Sequence, residues 1–186
     1  KPAENRTDLP RVAISRSFLV GTLYPLYSTF FAELGFEPVL AETSSRAGID
    51  QRNAAFCYPA ELAHGFFHSL LQADPRPDYI FLPHFRSVPV SSRVSNAYVC
   101  PLVQGEPYYL QATFRDQLNR LKKAGTRVLA PLLDLCDGLY AAREPLVKTA
   151  QQMGIRRRQA EAAFQKALER QRQCRAEMIR GGQETL

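Results

Sequence analysis

The chain has 186 residues, 45% of them hydrophobic, and a formal net charge of +6. That is enough apolar material for one domain with a packed core, and the absence of any apolar run of about 18 residues excludes a membrane-spanning helix. The four cysteines are scattered and form no CxxC pair, which excludes a dense secreted disulfide framework, and +4 of the charge falls on residues 156–186, so the basic balance does not mark the main domain as a nucleic-acid binder.

Residues 1–10, KPAENRTDLP, are polar and lack the basic-then-apolar order of a secretory signal. They read as a linker or the cut edge of a longer chain. RVAIS (11–15) is the first expected strand. LYPLYSTFFAELG (23–35) places Leu26, Phe30 and Leu34 at i, i+4, i+8, a helix that Gly35 ends. EPVLA (37–41) is the second strand. YPAELAHGFFHSLLQ (58–72) is a helix with Leu62, Phe66 and Leu70 on one face. Pro59 lies in its first turn, where a missing N–H costs nothing.

DYIFLP (78–83) and TRVLAPLL (126–133) are further strands, and AYVCP (97–101) a short one that stops at Pro101. PYYLQATFRDQLNRLKKAG (107–125) is a helix carrying Leu110, Phe114, Leu118 and Leu121, closed by Gly125. The strand runs are continuously apolar rather than alternating, so both their faces are covered, as in a parallel sheet. The alternation of strands and helices predicts an α/β, Rossmann-like, doubly wound and mostly parallel sheet over residues 11–135. Residues 136–186 form a C-terminal helical extension. There Ala160, Phe164, Ala167, Cys174 and Met178 make a narrow apolar stripe, and Gly181-Gly182 is the expected stop. The stripe packs on the sheet or docks a further lobe.

Open α/β sheets bind ligands beyond the carboxyl ends of their strands. The first strand delivers Ser15, Arg16 and Ser17 there; DYIFLP delivers Pro83, His84 and Arg86; AYVCP delivers Cys100. Cys57, just ahead of a helix, falls on the same rim. Unpaired N–H groups at a helix start favour a thiolate, the form that binds metal or attacks. A proline follows each of these two thiols within two residues and stiffens the backbone there.

The plain alternative is core, because free cysteine is among the most buried residue types. Cys174 and Cys136 are read that way; for Cys57 and Cys100 both readings stay open. The scattered thiols as a set point to a reducing, cytoplasmic setting. His64 and His68 stand at i, i+4, but HGFFH lacks the glutamate of a zinc-protease helix. There is no GxGxxG and no GxxxxGK[ST]; SRSFLVG offers N–H groups to an anion only at low specificity. RRR at 156–158 is a solvated helix start, and Glu161, Glu169 and Glu177 interrupt the basic face that follows.

Several stretches resemble a known family. RVAISRSF, LYPLYSTFFAELGFEPVLAE, CYPAELAHG, DYIFLP and CPLVQGEPYYLQA are similar to a segment of the large CoA-substrate-specific enzyme activases and to subunits of 2-hydroxyacyl-CoA dehydratases. The ending MGIRRRQAEAAFQKALERQRQCRAEMIRGGQETL is similar too, so the resemblance spans roughly residues 11–186. It implies an ATPase module with an iron–sulfur cluster that drives an electron uphill, and a dehydratase-like part holding a [4Fe–4S] cluster on cysteines between Rossmann-like lobes. Carried over by position, Cys57 and Cys100 are the implied cluster ligands. The remaining ligands then come from another lobe, another subunit or His84.

Arg16, Ser17 and His84 are expected to line the cavity beside the cluster. The implied partners are the other lobes of a longer chain, including the ATPase module, and an acyl-CoA dehydratase, with neither membrane nor nucleic acid. The segment is not expected to act as an enzyme alone. Two competing readings remain. One is a phosphate- or nucleotide-binding module without redox chemistry, using Arg16 and the first-strand N–H groups. The other is a structural interaction domain with both thiols in the core.

Overall fold

A computed structural model describes residues 9–52, 57–89 and 97–184. Four strands, β1 (Arg11–Ile14), β2 (Glu37–Leu40), β3 (Tyr79–Phe81) and β5 (Arg127–Leu129), form one parallel sheet in the order β2-β1-β3-β5. The chain moves outward from β1 to β2, then crosses to β3 on the other side of β1. That reversal makes the carboxyl ends of β1 and β3 the natural crevice of a doubly wound sheet.

Two further strands, β4 (His84–Ser87) and β6 (Leu132–Asp134), pair in parallel beyond that edge. The Leu82 N–H donates to the Leu129 carbonyl at 2.8 Å and the His84 N–H to the Pro131 carbonyl at 2.8 Å. The β3–β5 ladder therefore carries on into β4–β6. The expected strand at 126–133 is broken at Ala130-Pro131, where a proline has no N–H to give.

Both faces of the sheet are covered. Val12, Ile14, Phe81 and Leu129 point to one side, against α1 (Val20–Glu33), α7 (Arg143–Gln152) and the first half of α8 (Arg157–Glu184). Ala13, Ile80 and Leu82 point to the other, against α3 (Tyr58–Leu71), α5 (Glu106–Thr113) and α6 (Arg115–Lys123). Neighbouring residues of a strand face opposite ways, so a sheet with helices on both sides requires unbroken apolar runs. The fold is thus the α/β, mostly parallel and Rossmann-like one expected, with a long C-terminal helix. No helix among the described residues is long and apolar enough to cross a membrane.

Gly35 takes φ +83°, and the Phe36 N–H reaches back to the Phe31 carbonyl at 3.0 Å, closing α1 as expected. Three local expectations are corrected. AYVCP is not a strand: Tyr98 makes only an isolated antiparallel bridge with Ser87, and Cys100 caps the short helix α4 (Pro101–Gln104). Pro101 suits a helix's first position better than a strand's interior. The expected helix 107–125 is two, broken at Phe114 (φ −102°, ψ +28°). Finally, α8 does not stop at Gly181-Gly182 but runs 28 residues to Glu184. Glycine weakens a helix by about 1 kcal/mol without forbidding it.

The stripe on α8 is buried through Ala160, Phe164 and Ala167, whereas Met178 is 64% exposed. Between them Gln171 is only 3% exposed. Its Oε1 accepts from the Leu26 N–H at 3.1 Å, and its Nε2 donates to the Thr22 carbonyl at 2.9 Å, next to Pro25 in α1.

On the other side, α2 (Arg46–Ile49) crosses α3 at two glycines. A Cβ on Gly48 would meet the His68 Cβ at 2.4 Å and the His64 carbonyl oxygen at 2.8 Å. Neither neighbour is the free end of a side chain. Gly48→Ala is expected to cost about 1–2 kcal/mol through overpacking, read as a lower urea midpoint at unchanged slope.

Candidate functional site

The carboxyl ends of β1 and β3 collect most of the polar residues of interest. The loop after β1 carries Ser15 (buried), Arg16 (exposed) and Ser17 (buried). Phe18 follows at φ +40°, a left-handed conformation unusual for a bulky side chain. Arg16 has no hydrogen-bond or ion-pair partner among the described residues. Ser17 turns inward: its hydroxyl donates to Glu106 Oε1 and lies 3.1 Å from Ser15 Oγ.

Glu106 opens α5 and is 1% exposed. Burial pushes its carboxyl up to about 7, and the Ser17 hydrogen bond pulls it partly back. One turn along, Tyr109 stacks on His64, with ring centroids 5.1 Å apart. Its hydroxyl is shielded from solvent and has no hydrogen-bond partner among the described residues. Burial raises the phenol above its ordinary value, and the charges of Glu106, Cys57 and Cys100 add to the effect.

Cys57 is half-buried and caps α3; Cys100 is exposed and caps α4. The Cys57 carbonyl accepts from the Glu61 N–H at 3.0 Å, and the Cys100 carbonyl from the Val103 N–H at 2.9 Å. The two thiols thus occupy equivalent positions on two helix starts. Neither is sealed in aliphatic packing. Glu106 and Tyr109 escape the sequence reading: an acid at a helix start reads as a solvated partner of the helix dipole, and a tyrosine in YYLQA as ordinary helix surface.

The other candidates sit around this cluster. His84 is half-buried with its ring edge-on to Tyr108 at 5.3 Å, and burial lowers its pKa. His64 donates from Nδ1 to the Ala60 carbonyl at 2.7 Å, while His68 Nδ1 lies 3.0 Å from Ser45 Oγ, so the two imidazoles serve different partners.

Cys136 is exposed rather than core. It follows β6, where Asp134 binds the Ser87 hydroxyl and pairs with Arg86 at 3.4 Å. The Ser87 hydrogen bond holds the Asp134 carboxylate low, and the hydrogen bond to Asp134 pushes the Cys136 thiol up. Cys174 is half-buried on α8. Among the described residues, no group of three or more His, Cys, Asp or Glu side chains is placed to hold a metal ion by itself.

No curated protein matches the chain. A family model described as CoA enzyme activase uncharacterised domain (DUF2229) matches residues 11–186, from the first residue of β1 to the end of the chain. The match takes in the whole sheet, both cysteine-capped helix starts and α8, so the chain belongs to the family of CoA enzyme activase uncharacterised domains.

Proposed function

We propose that this domain contributes Cys57 and Cys100 as ligands to a [4Fe–4S] cluster in an ATP-driven electron-transfer system that serves CoA-thioester substrates. The observation that carries the reading is that Cys57 and Cys100 each cap a helix start and that neither is sealed in the core. In this reading the two cysteines, 43 positions apart in the chain, serve one neighbourhood at the crevice of the sheet. Membership of the activase family supports the same reading.

The donor chemistry fits the group in part. Thiolates are the soft ligands that iron–sulfur clusters use. Each sulfur stands where backbone N–H groups point outward from a helix start. Two thiols fall short of four ligands, so the others come from outside the described residues, a further lobe or a partner subunit. When bound, such a cluster supplies a one-electron carrier.

The chain's own residues supply the surroundings. Cys57 and Cys100 hold the group and their prolines stiffen the ligand backbone. Glu106 and Ser17 keep a buried polar wall, and Arg16 and His84 stand at the strand ends. In this reading the domain works in a reducing, cytoplasmic compartment beside an ATPase module and an acyl-CoA dehydratase.

Anaerobic iron–sulfur reconstitution of the intact protein tests this. Cys57→Ser and Cys100→Ser are each expected to lose most of the bound iron and the visible absorption of the cluster. Equal iron in wild type and both variants overturns the assignment. A second reading has one observation behind it: Arg16 is exposed and, among the described residues, unpaired beside the left-handed Phe18 turn, as an anion site would have it. If that reading holds instead, phosphate or nucleotide binding survives in the double cysteine variant and is lost in Arg16→Ala.

A further inference from the structure

From Gln171 outward, the start of α1 and the end of α8 flank a cleft of about 510 Å³. Small-molecule sites are usually about 300–1,000 Å³. The strands feed this cleft from below. The loop after β1 ends at Leu19, Val88 and Pro89 follow β4, and Leu135 follows β6, and all four line it. Three strands therefore send their carboxyl ends towards one hollow, the place where sheets of this kind take ligands. Leu135 and Leu23 of α1 are buried and give it an apolar floor. Neither Cys57 nor Cys100 lines it, so the cleft is separate from the two thiols.

The α8 wall carries the one charge. Arg175 stands a turn beyond Gln171 and Ile179 a turn beyond that, all three lining the cleft. Both ends of the Gln171 amide are taken by the α1 backbone, which leaves the inner end of the cleft to apolar groups. Among the described residues no carboxylate lines the cleft, and Arg175 has no ion pair or side-chain hydrogen bond. Arg157 and Arg170 of the same helix are instead paired with glutamates. An adjoining hollow adds Arg172 and Asp137, whose opposite charges offset.

We propose that this cleft binds a small amphipathic monoanion, a hydrocarbon chain carrying one carboxylate. The chain lies on Leu23 and Leu135 between the two helices, and the carboxylate pairs with Arg175 at the mouth. A single cation on an apolar wall suits one negative charge on an apolar body. A polyphosphate would need several cations, and a neutral hydrocarbon would leave the arginine unused.

The test is calorimetric binding of octanoate to the full chain at neutral pH, with octanol as the uncharged probe of similar chain length. Octanoate is expected to bind at one site per chain, and octanol about tenfold more weakly, the worth of one hydrogen bond between charged groups. Arg175→Glu is expected to weaken octanoate at least about tenfold and to leave octanol unchanged. Arg180→Glu makes the same change in net charge outside the cleft lining and is expected to bind octanoate like wild type. Ile179→Glu is expected to weaken both probes. Arg175, Ile179 and Arg180 are exposed, so all three variants are expected to melt with wild type.

No octanoate binding in wild type, equal affinity for octanol, or equal loss in Arg175→Glu and Arg180→Glu each overturns the inference. Sedimentation that shows a dimer broken by Ile179→Glu also overturns it, because a second copy then fills the cleft.

Discussion

Glu106→Gln is expected to make the protein more stable above pH 7. Burial raises the Glu106 carboxyl from 4.5 to about 7 in the fold, against the Ser17 hydrogen bond. Below about pH 4.5 the folded and unfolded chains both hold the proton, and the group has no effect on the pH dependence. Between about 4.5 and 7 the unfolded chain gives the proton up while the fold keeps it, so stability falls as pH rises. Above about pH 7 both states are ionised, and the accumulated loss is roughly 3 kcal/mol.

Glutamine has nearly the same shape and its Oε1 still accepts from Ser17, but it does not titrate. The variant is therefore expected to match wild type near pH 4.5 and to exceed it by up to roughly 3 kcal/mol at pH 8. Urea unfolding at pH 4.5, 6 and 8 measures this. Stability curves that run parallel across that range would sink it. A buried carboxyl that weakens the fold at neutral pH is a mark of a site rather than of a scaffold.

Gln171→Leu has the opposite expected sign. The side chain is 3% exposed and satisfies two backbone groups of α1, the Leu26 N–H and the Thr22 carbonyl. Leucine fills a similar volume and offers neither partner. Leaving a buried N–H and a half-shielded carbonyl without it costs about 2–3 kcal/mol. For a chain of this size that is a fall of about 4–12 °C in the melting temperature. Gln171→Glu separates the two bonds. It keeps the acceptor for Leu26, loses the donor to Thr22 and buries a charge, so it is expected to be no more stable than Gln171→Leu. If Gln171→Leu melts with wild type, the amide is not what holds α8 against α1.

These two residues also mark where reading the sequence stops. Gln171 interrupts the apolar stripe of α8 midway between Ala167 and Cys174. By composition it is a surface residue, and the stripe reads cleanly only when it is skipped. Its partners lie 145 and 149 positions away in the chain, beside a proline in another helix. Glu106 and Ser17 are 89 positions apart. Nothing in the spacing around CPLVQGEP says whether the start of α5 lies over solvent or over the end of β1.

The sequence by itself determined the layered architecture and the ends of α1 and α6 at Gly35 and Gly125. These follow from local physics: unbroken apolar runs make doubly covered strands, apolar residues at helical spacing make buried faces, and glycine relieves a left-handed turn. Tertiary structure alone decided that Glu106 is buried against Ser17, that Tyr109 stacks on His64, that Cys136 faces solvent, and that Gln171 ties α8 to α1. Each depends on strand order and helix crossing, which bring distant residues together and remove water from polar groups. A polar side chain's local sequence is the same whether or not that happens.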